Sequence, residues 1–246
     1  ILVDALPERA GAAVVPERSS IPVRSPFRLV ATSRRPLPSP ANSAAAPIAI
    51  VPLTYLPLED PAPIESQVGH YLPYRPSRIE IDGAADHPTP LVESVAMGSI
   101  AAPVPHAVPQ LPEGLVSKGL LSNAQAETLI YAVSAHARDL PGRFDAEDKG
   151  CSLKASAEGQ VFRQGYFLGD GTGAGKGRQV ASVILDRWVR GERRHIWVTK
   201  NEALLEDARR DWTALGGLPI DIQPLASWRL GTSIAMREGI LFVTYP

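Results

Sequence analysis

Beyond Pro112 the chain alternates two kinds of apolar pattern. Leu129, Ile130, Val133, Ala137 and Leu140 recur three or four apart and predict one buried helix face over Ser122–Leu140. Ser122 followed by Gln125 reads as a capping box, the hydroxyl taking an early amide and the glutamine reaching back. Val180, Val183, Ile184 and Trp188 predict a second helix over Gly175–Arg190. Leu204, Leu205, Ala208 and Trp212 predict a third, from an Asn201 cap to Leu215. Short apolar runs at Gly165–Leu168, His195–Thr199, Asp221–Leu225 and Ile240–Tyr245 predict strands, and the polar, glycine-punctuated residues 141–160 a loop. Strands alternating with helices of this length imply an α/β parallel sheet with right-handed crossovers. A ligand then belongs beyond the carboxyl ends of the strands.

Composition divides the chain near the same point. Twenty of the 24 prolines lie at or before Pro112, and all five lysines and all four tryptophans lie after it. Proline fixes φ and lacks a donor, so residues 1–70 read as an Ala/Pro-rich linker, extended or disordered. Residues 71–115 add Tyr71, Tyr74, Ile79, Ile81, Leu91, Val92 and Met97 and read as an irregular arm packing on the lobe formed by residues 116–246. His87 and His106 have no metal-ligand spacing and read as solvent-facing or hydrogen-bonded. The net charge of −1 over 246 residues gives no global basic field, and the single Cys151 excludes an internal disulfide and suits a reducing cytoplasm. No apolar run approaches membrane-spanning length, prolines interrupting Ala44–Leu58. The sequence opens on Ile1 rather than Met and no charged n-region precedes an apolar h-region, so no signal peptide is read in it, and both ends read as cut from a longer polypeptide.

The chemistry concentrates in Tyr166–Arg178, YFLGDGTGAGKGR. An apolar run stops at a glycine-dense turn and a helix-compatible segment follows. Gly171, Gly173 and Gly175, with Thr172 and Ala174 between them, let the backbone turn several amides inward. The following helix start adds partial positive charge, and Lys176 adds a full one. The result is a cradle for the β- and γ-phosphates of a nucleotide. The pattern GxxxxGK[ST] is missed twice: Asp170 stands at the first glycine, and Gly177 replaces the residue whose hydroxyl would hold Mg²⁺. Gly169, Gly171 and Ala174 also satisfy G-x-G-x-x-[GA], which opens a second reading as a dinucleotide- or S-adenosylmethionine-binding Rossmann-like domain. That reading wants an acid ending the next strand, where Lys200 and Asn201 stand instead. A third reading is a non-enzymatic interaction module with a merely structural loop.

The segment GYFLGDGTGAGKGRQVASVILDRW resembles the first motif of superfamily 2 helicases and translocases, and its GKGR ending resembles the Strawberry notch family most closely. LSNAQAETLIYA is similar to the upstream glutamine motif, IWVTKNEALLEDARRDW to the next motif and LFVTYP to the third. The resemblance implies a RecA-like first lobe, incomplete within these residues, that binds ATP and Mg²⁺ and couples hydrolysis to movement on DNA or RNA. It implies Gln125 as the adenine reader, Gly171–Arg178 around the phosphates, and Thr199, Lys200 and Thr244 on nucleic-acid phosphates. Arg178 is open to a phosphate role or a structural ion pair. Arg187, Arg190, Arg193 and Arg194 are open to nucleic acid or to complementing a helix end, and the four tryptophans read as core. Hydrolysis also needs an acidic strand and arginine fingers. No apolar run ending in DExx follows Lys176, so the acid, most metal ligands and the second lobe are expected elsewhere in a longer polypeptide.

Overall fold

In a computed structural model the described residues are 48–58, 71–74, 79–95, 102–147, 150, 152–229 and 231–245. Residues 1–47, Met97 and Cys151 lie outside them, and so does most of what the sequence suggested for the linker. Residues 48–58 correct part of that suggestion. Ile50–Pro52 (β1) and Tyr55–Pro57 (β2) are short strands, and Leu53 between them is buried in the core. Proline restricts them to three residues and to two-stranded antiparallel ladders, where a missing amide costs least.

The arm continues in the same manner. β3 (Tyr71–Pro73) pairs with β5 (Val92–Ser94), β2 with β4 (Ile79–Ile81), and β1 with β6 (Gln110–Pro112). Ile79, Ile81 and Leu111 are buried with Leu53 in the core shared with the helices. Hydrogen bonds then pin the arm down. Ser134 Oγ accepts from the amides of His106 and Ala107 at 3.2 Å, and the Gln110 amide donates to Asp186 Oδ1 at 2.6 Å. His106 is exposed and takes a hydrogen bond from Arg138, and His87 Nδ1 lies 3.2 Å from the Thr89 amide.

The first helix, α1, covers Asn123–His136 and ends four residues before the apolar pattern does. Its capping box is present: Ser122 Oγ accepts from the Gln125 amide at 3.4 Å, and the Ser122 amide donates to Gln125 Oε1 at 3.1 Å. The predicted loop at 141–160 holds a hairpin instead, β7 (Phe144–Glu147) against β8 (Ser152–Ala155). Both strands are mostly exposed, so no apolar alternation marks them; Phe144 meets Phe162 edge-on at 6.4 Å.

The second helix, α2, covers Lys176–Val189, and β9 (Arg194–Thr199) follows it. The third, α3, is Leu204–Ala214; it starts after an Ala203 cap without a side-chain bond, so Asn201 is not the cap. β10 (Ile222–Pro224) and β11 (Gly239–Thr244) complete a parallel sheet in the order β10-β11-β9. Thr199 lies opposite Thr244 and Pro224 opposite Phe242. The Gly165–Leu168 segment is a further correction, because it forms no ladder with any described residue and leaves Phe167 90% exposed. A strand needs a hydrogen-bonded neighbour, and the three-stranded sheet does not supply one. Trp212 is fully buried, while Trp188 and Trp197 pack half-buried against the same core.

Candidate nucleotide site

The turn Thr172–Ala174 delivers the chain into α2, and two glycines make that delivery possible. Gly173 has φ +96° and Gly175 has φ +73°, both left-handed values that a β-carbon disfavours. A β-carbon on Gly175 would also run into Gln125 Nε2. Gly175 caps α2 without a side-chain bond, and no acid sits in the first turn. The amides of that turn are therefore left for an anion, at the positive end of the helix.

Lys176 is the first helical residue and is exposed. Its Nζ donates to the carbonyl oxygens of Asp170 and Gly171, each at 2.8 Å, so the ammonium spans the mouth of the loop. Asp170, the departure from glycine, anchors the loop to the helix: its Oδ2 accepts from Gln179 Nε2 at 2.8 Å. Gln179 is fully buried and also donates to the Ala174 carbonyl at 3.1 Å, and its Oε1 has no partner. Sequence reasoning missed this residue. Its signal was a polar side chain beside Val180, Val183 and Ile184 on the buried face.

Gln125 donates from Nε2 to the same Ala174 carbonyl at 3.3 Å while its Oε1 serves the α1 cap. One side chain thus ties the start of α1 to the phosphate turn. Arg178 pairs with Asp211 (Nε to Oδ1, 3.4 Å) and donates from Nη1 to the Leu120 carbonyl at 2.9 Å. Of the two roles the sequence left open for Arg178, the ion pair is present. Glu127 is 8% exposed, and burial followed by the Asp170 charge pushes its carboxyl up to about 7. Burial, then Asp170 and Glu127, pushes the Tyr166 phenol up to about 12.

The strand-end residues come together as the register requires. Thr199 and Thr244 are cross-strand partners, exposed Lys200 follows directly, and the Tyr245 amide donates to the Thr199 carbonyl at 3.0 Å. Thr244 is exposed, whereas Thr199 is buried and spends its hydroxyl on the Asn201 carbonyl. α2 ends five residues before β9 begins, and Trp188 near its end stacks on His195 of β9 with ring centroids 6.2 Å apart. The basic cluster is mostly spent: Arg187 and Arg190 flank the fully buried Asp186, and Arg193 pairs with Glu238 over the Trp188 ring.

The residues fit the phosphates of a nucleotide: an uncapped helix start, two left-handed glycines and a lysine converge on one turn. For a metal ion the fit is partial. Gly177 supplies no hydroxyl, and no three His, Cys, Asp or Glu residues converge among the described residues. Mg²⁺ bound to phosphate oxygens and water needs only one or two protein ligands, so the turn is compatible with it. A cleft of about 280 Å³ lined by Tyr131, Arg138, Tyr166 and Phe167 shares no residue with the turn.

Residues 86–246 match the family model described as "P-loop containing NTP hydrolase pore-1". Human strawberry notch homolog 2 is 33% identical over 182 residues, which cover 73% of this chain and 12% of that protein. The strawberry notch homolog of Caenorhabditis elegans is 32% identical over 71% of this chain and 9% of its own length. FORGETTER 1 of Arabidopsis thaliana is 31% identical over 71% of this chain and 12% of its own. The chain thus spans a small part of the relatives it matches. No solved structure matches it. With the glycine turn, Lys176 and the parallel strands already in place, these matches mean that the chain belongs to the strawberry notch family of P-loop NTP hydrolases.

Proposed function

We propose that the chain is the nucleotide grip of a RecA-like first lobe in an ATP-driven translocase acting on nucleic acid. The observation that carries this reading is the uncapped start of α2 beneath Gly173 and Gly175, with Lys176 Nζ across its mouth. When ATP enters, Lys176 exchanges the carbonyls of Asp170 and Gly171 for phosphate oxygens, and the first-turn amides take the remainder. Gln125 and Gln179 hold the Ala174 carbonyl and thereby the shape of the turn. Mg²⁺, when bound, neutralises charge on the phosphates. Arg178 stays engaged with Asp211 and the Leu120 carbonyl, so its part is to brace α2 against α3 and against the turn that leads into α1. Thr199, Lys200 and Thr244 form an edge suited to backbone phosphates, which hydroxyls and ammonium groups contact without reading bases.

The dinucleotide reading is weaker here, since Lys200 and Asn201 end β9 where a ribose-binding acid would stand. Calorimetry tests the proposal. The chain is expected to bind ATP and ADP and to ignore NAD and S-adenosylmethionine. Lys176→Ala weakens ADP binding on the order of 10- to 100-fold, the value of a charged hydrogen bond, with unchanged melting. Equal ADP affinity for both proteins overturns the assignment.

A further inference from the structure

Gly177 stands where the phosphate-loop pattern places a hydroxyl for Mg²⁺. The volume of its missing β-carbon is not empty: Asp211 Oδ2, reaching from the third turn of α3, occupies it. A serine or threonine at 177 would collide with this carboxylate, so the glycine and the acid form one arrangement. Asp211 Oδ1 pairs with Arg178 Nε at 3.4 Å, and the side chain is 14% exposed. Close helix packing explains the glycine; the acid is held on its Oδ1 side by Arg178, with Arg210 Nε at 4.0 Å, and this leaves Oδ2 in the room that a side chain at 177 would fill. A carboxylate there adds negative charge beside the helix start that the phosphates must reach. Arg178 and the more distant Arg210 offset part of that charge on the Oδ1 side, and a cation between Oδ2 and the phosphates would relieve the repulsion that remains between the two anions. Mg²⁺ characteristically takes one or two carboxylates together with phosphate oxygens and waters.

We propose that Asp211 is the chain's own ligand to the nucleotide-bound Mg²⁺, in the role that the missing hydroxyl at 177 would have had. The inference rests on the phosphate-loop reading above and adds to it a residue from a different helix. It makes the site selective: the carboxylate attracts the metal–nucleotide complex and repels the bare nucleotide.

Calorimetry on the 246-residue chain tests this with ADP in EDTA and ADP with Mg²⁺. The wild-type chain is expected to prefer the Mg²⁺ complex by at least about tenfold, one decade being about 1.4 kcal/mol. Asp211→Asn is expected to keep or improve metal-free ADP binding and to lose the preference. Gly177→Ser combined with Asp211→Ala restores it by returning a hydroxyl in place of the acid. An unchanged preference in Asp211→Asn overturns the proposal and leaves the nucleotide reading standing. Failure of the wild-type chain to bind ADP in either condition overturns both. If Asp211→Asn melts far below wild type, the wild-type chain itself decides. With aspartate labelled by ¹³C at the carboxyl, bound Mn²⁺·ADP should show a strongly coupled ¹³C in electron–nuclear double resonance. Absence of that coupling rejects the ligand.

Discussion

Gln125 does two jobs from one side chain, closing the α1 capping box and holding the Ala174 carbonyl of the phosphate turn. Gly175 makes room for it, since a β-carbon there would meet Gln125 Nε2 in a backbone already at φ +73°. Gly175→Ala is therefore expected to cost about 1–3 kcal/mol in urea unfolding and to weaken ADP binding with it. Glu127 makes a separate prediction. Its carboxyl is pushed up to about 7 in the fold, against 4.5 for the free group. Between those values the folded chain keeps a proton that the unfolded chain has released. This group's contribution to stability is therefore present below 4.5, falls as pH rises towards 7, and is lost above that. The loss amounts to about 3 kcal/mol at 1.36 kcal/mol per unit. Glu127→Gln, unable to ionise, should match wild type near pH 4.5 and exceed it at pH 8 in denaturant titrations. A stability difference that does not change with pH would mean that Glu127 is not held neutral.

Elements set which of these side chains can act together. The in-register pairing of β9 with β11 puts Thr199 beside Thr244 and leaves Lys200 exposed at the strand end. If this edge tracks nucleic-acid phosphates, Lys200→Glu weakens oligonucleotide binding and lowers the slope of log affinity against log salt by about one. ADP affinity should be unaffected, because Lys200 does not contribute to the turn. Fluorescence anisotropy over a salt series measures the slope, and an unaltered slope removes Lys200 from the track. The helices were the most legible elements, because periodicity is a local property. Val180, Val183, Ile184 and Trp188 marked α2 to within a residue at either end. The hairpin β7–β8 was not legible, because its strands lie mostly exposed and their order comes from each other. Asn201 looked like a cap from its residue type alone, but the chain makes a turn over residues 202–203 and enters α3 three residues after Asn201.

At the scale of the whole molecule, the arm is part of the core. Leu53 is 6% exposed, and β1 and β2 are the ladder partners of β6 and β4. A chain beginning at Tyr71 removes Leu53 and both partner strands, whereas one beginning at Ile48 keeps them. The shorter chain is expected to be less stable than the longer by at least about 2–4 kcal/mol, the cost of deleting one buried leucine. Chemical denaturation of the two chains measures the difference, and equal stability would show that the arm packs without holding the lobe. Among the described residues no helix is long and apolar enough to cross a membrane.

The phosphate turn and its helix could be read from residues alone because glycine dihedrals, the charge of Lys176 and the helical period are all settled within about a dozen neighbours. Partners far apart in the chain could not. Asp211 fills the gap at Gly177 from 34 positions away, Asp186 takes the amide of Gln110, and Gln179 becomes fully buried only when the turn folds back over it. The same limit explains Gly165–Leu168, which has the apolar pattern of a strand without a ladder. Side-chain pattern reports which face is buried, whereas strand identity depends on backbone hydrogen bonds to another segment, and only tertiary structure brings that segment alongside or leaves it absent.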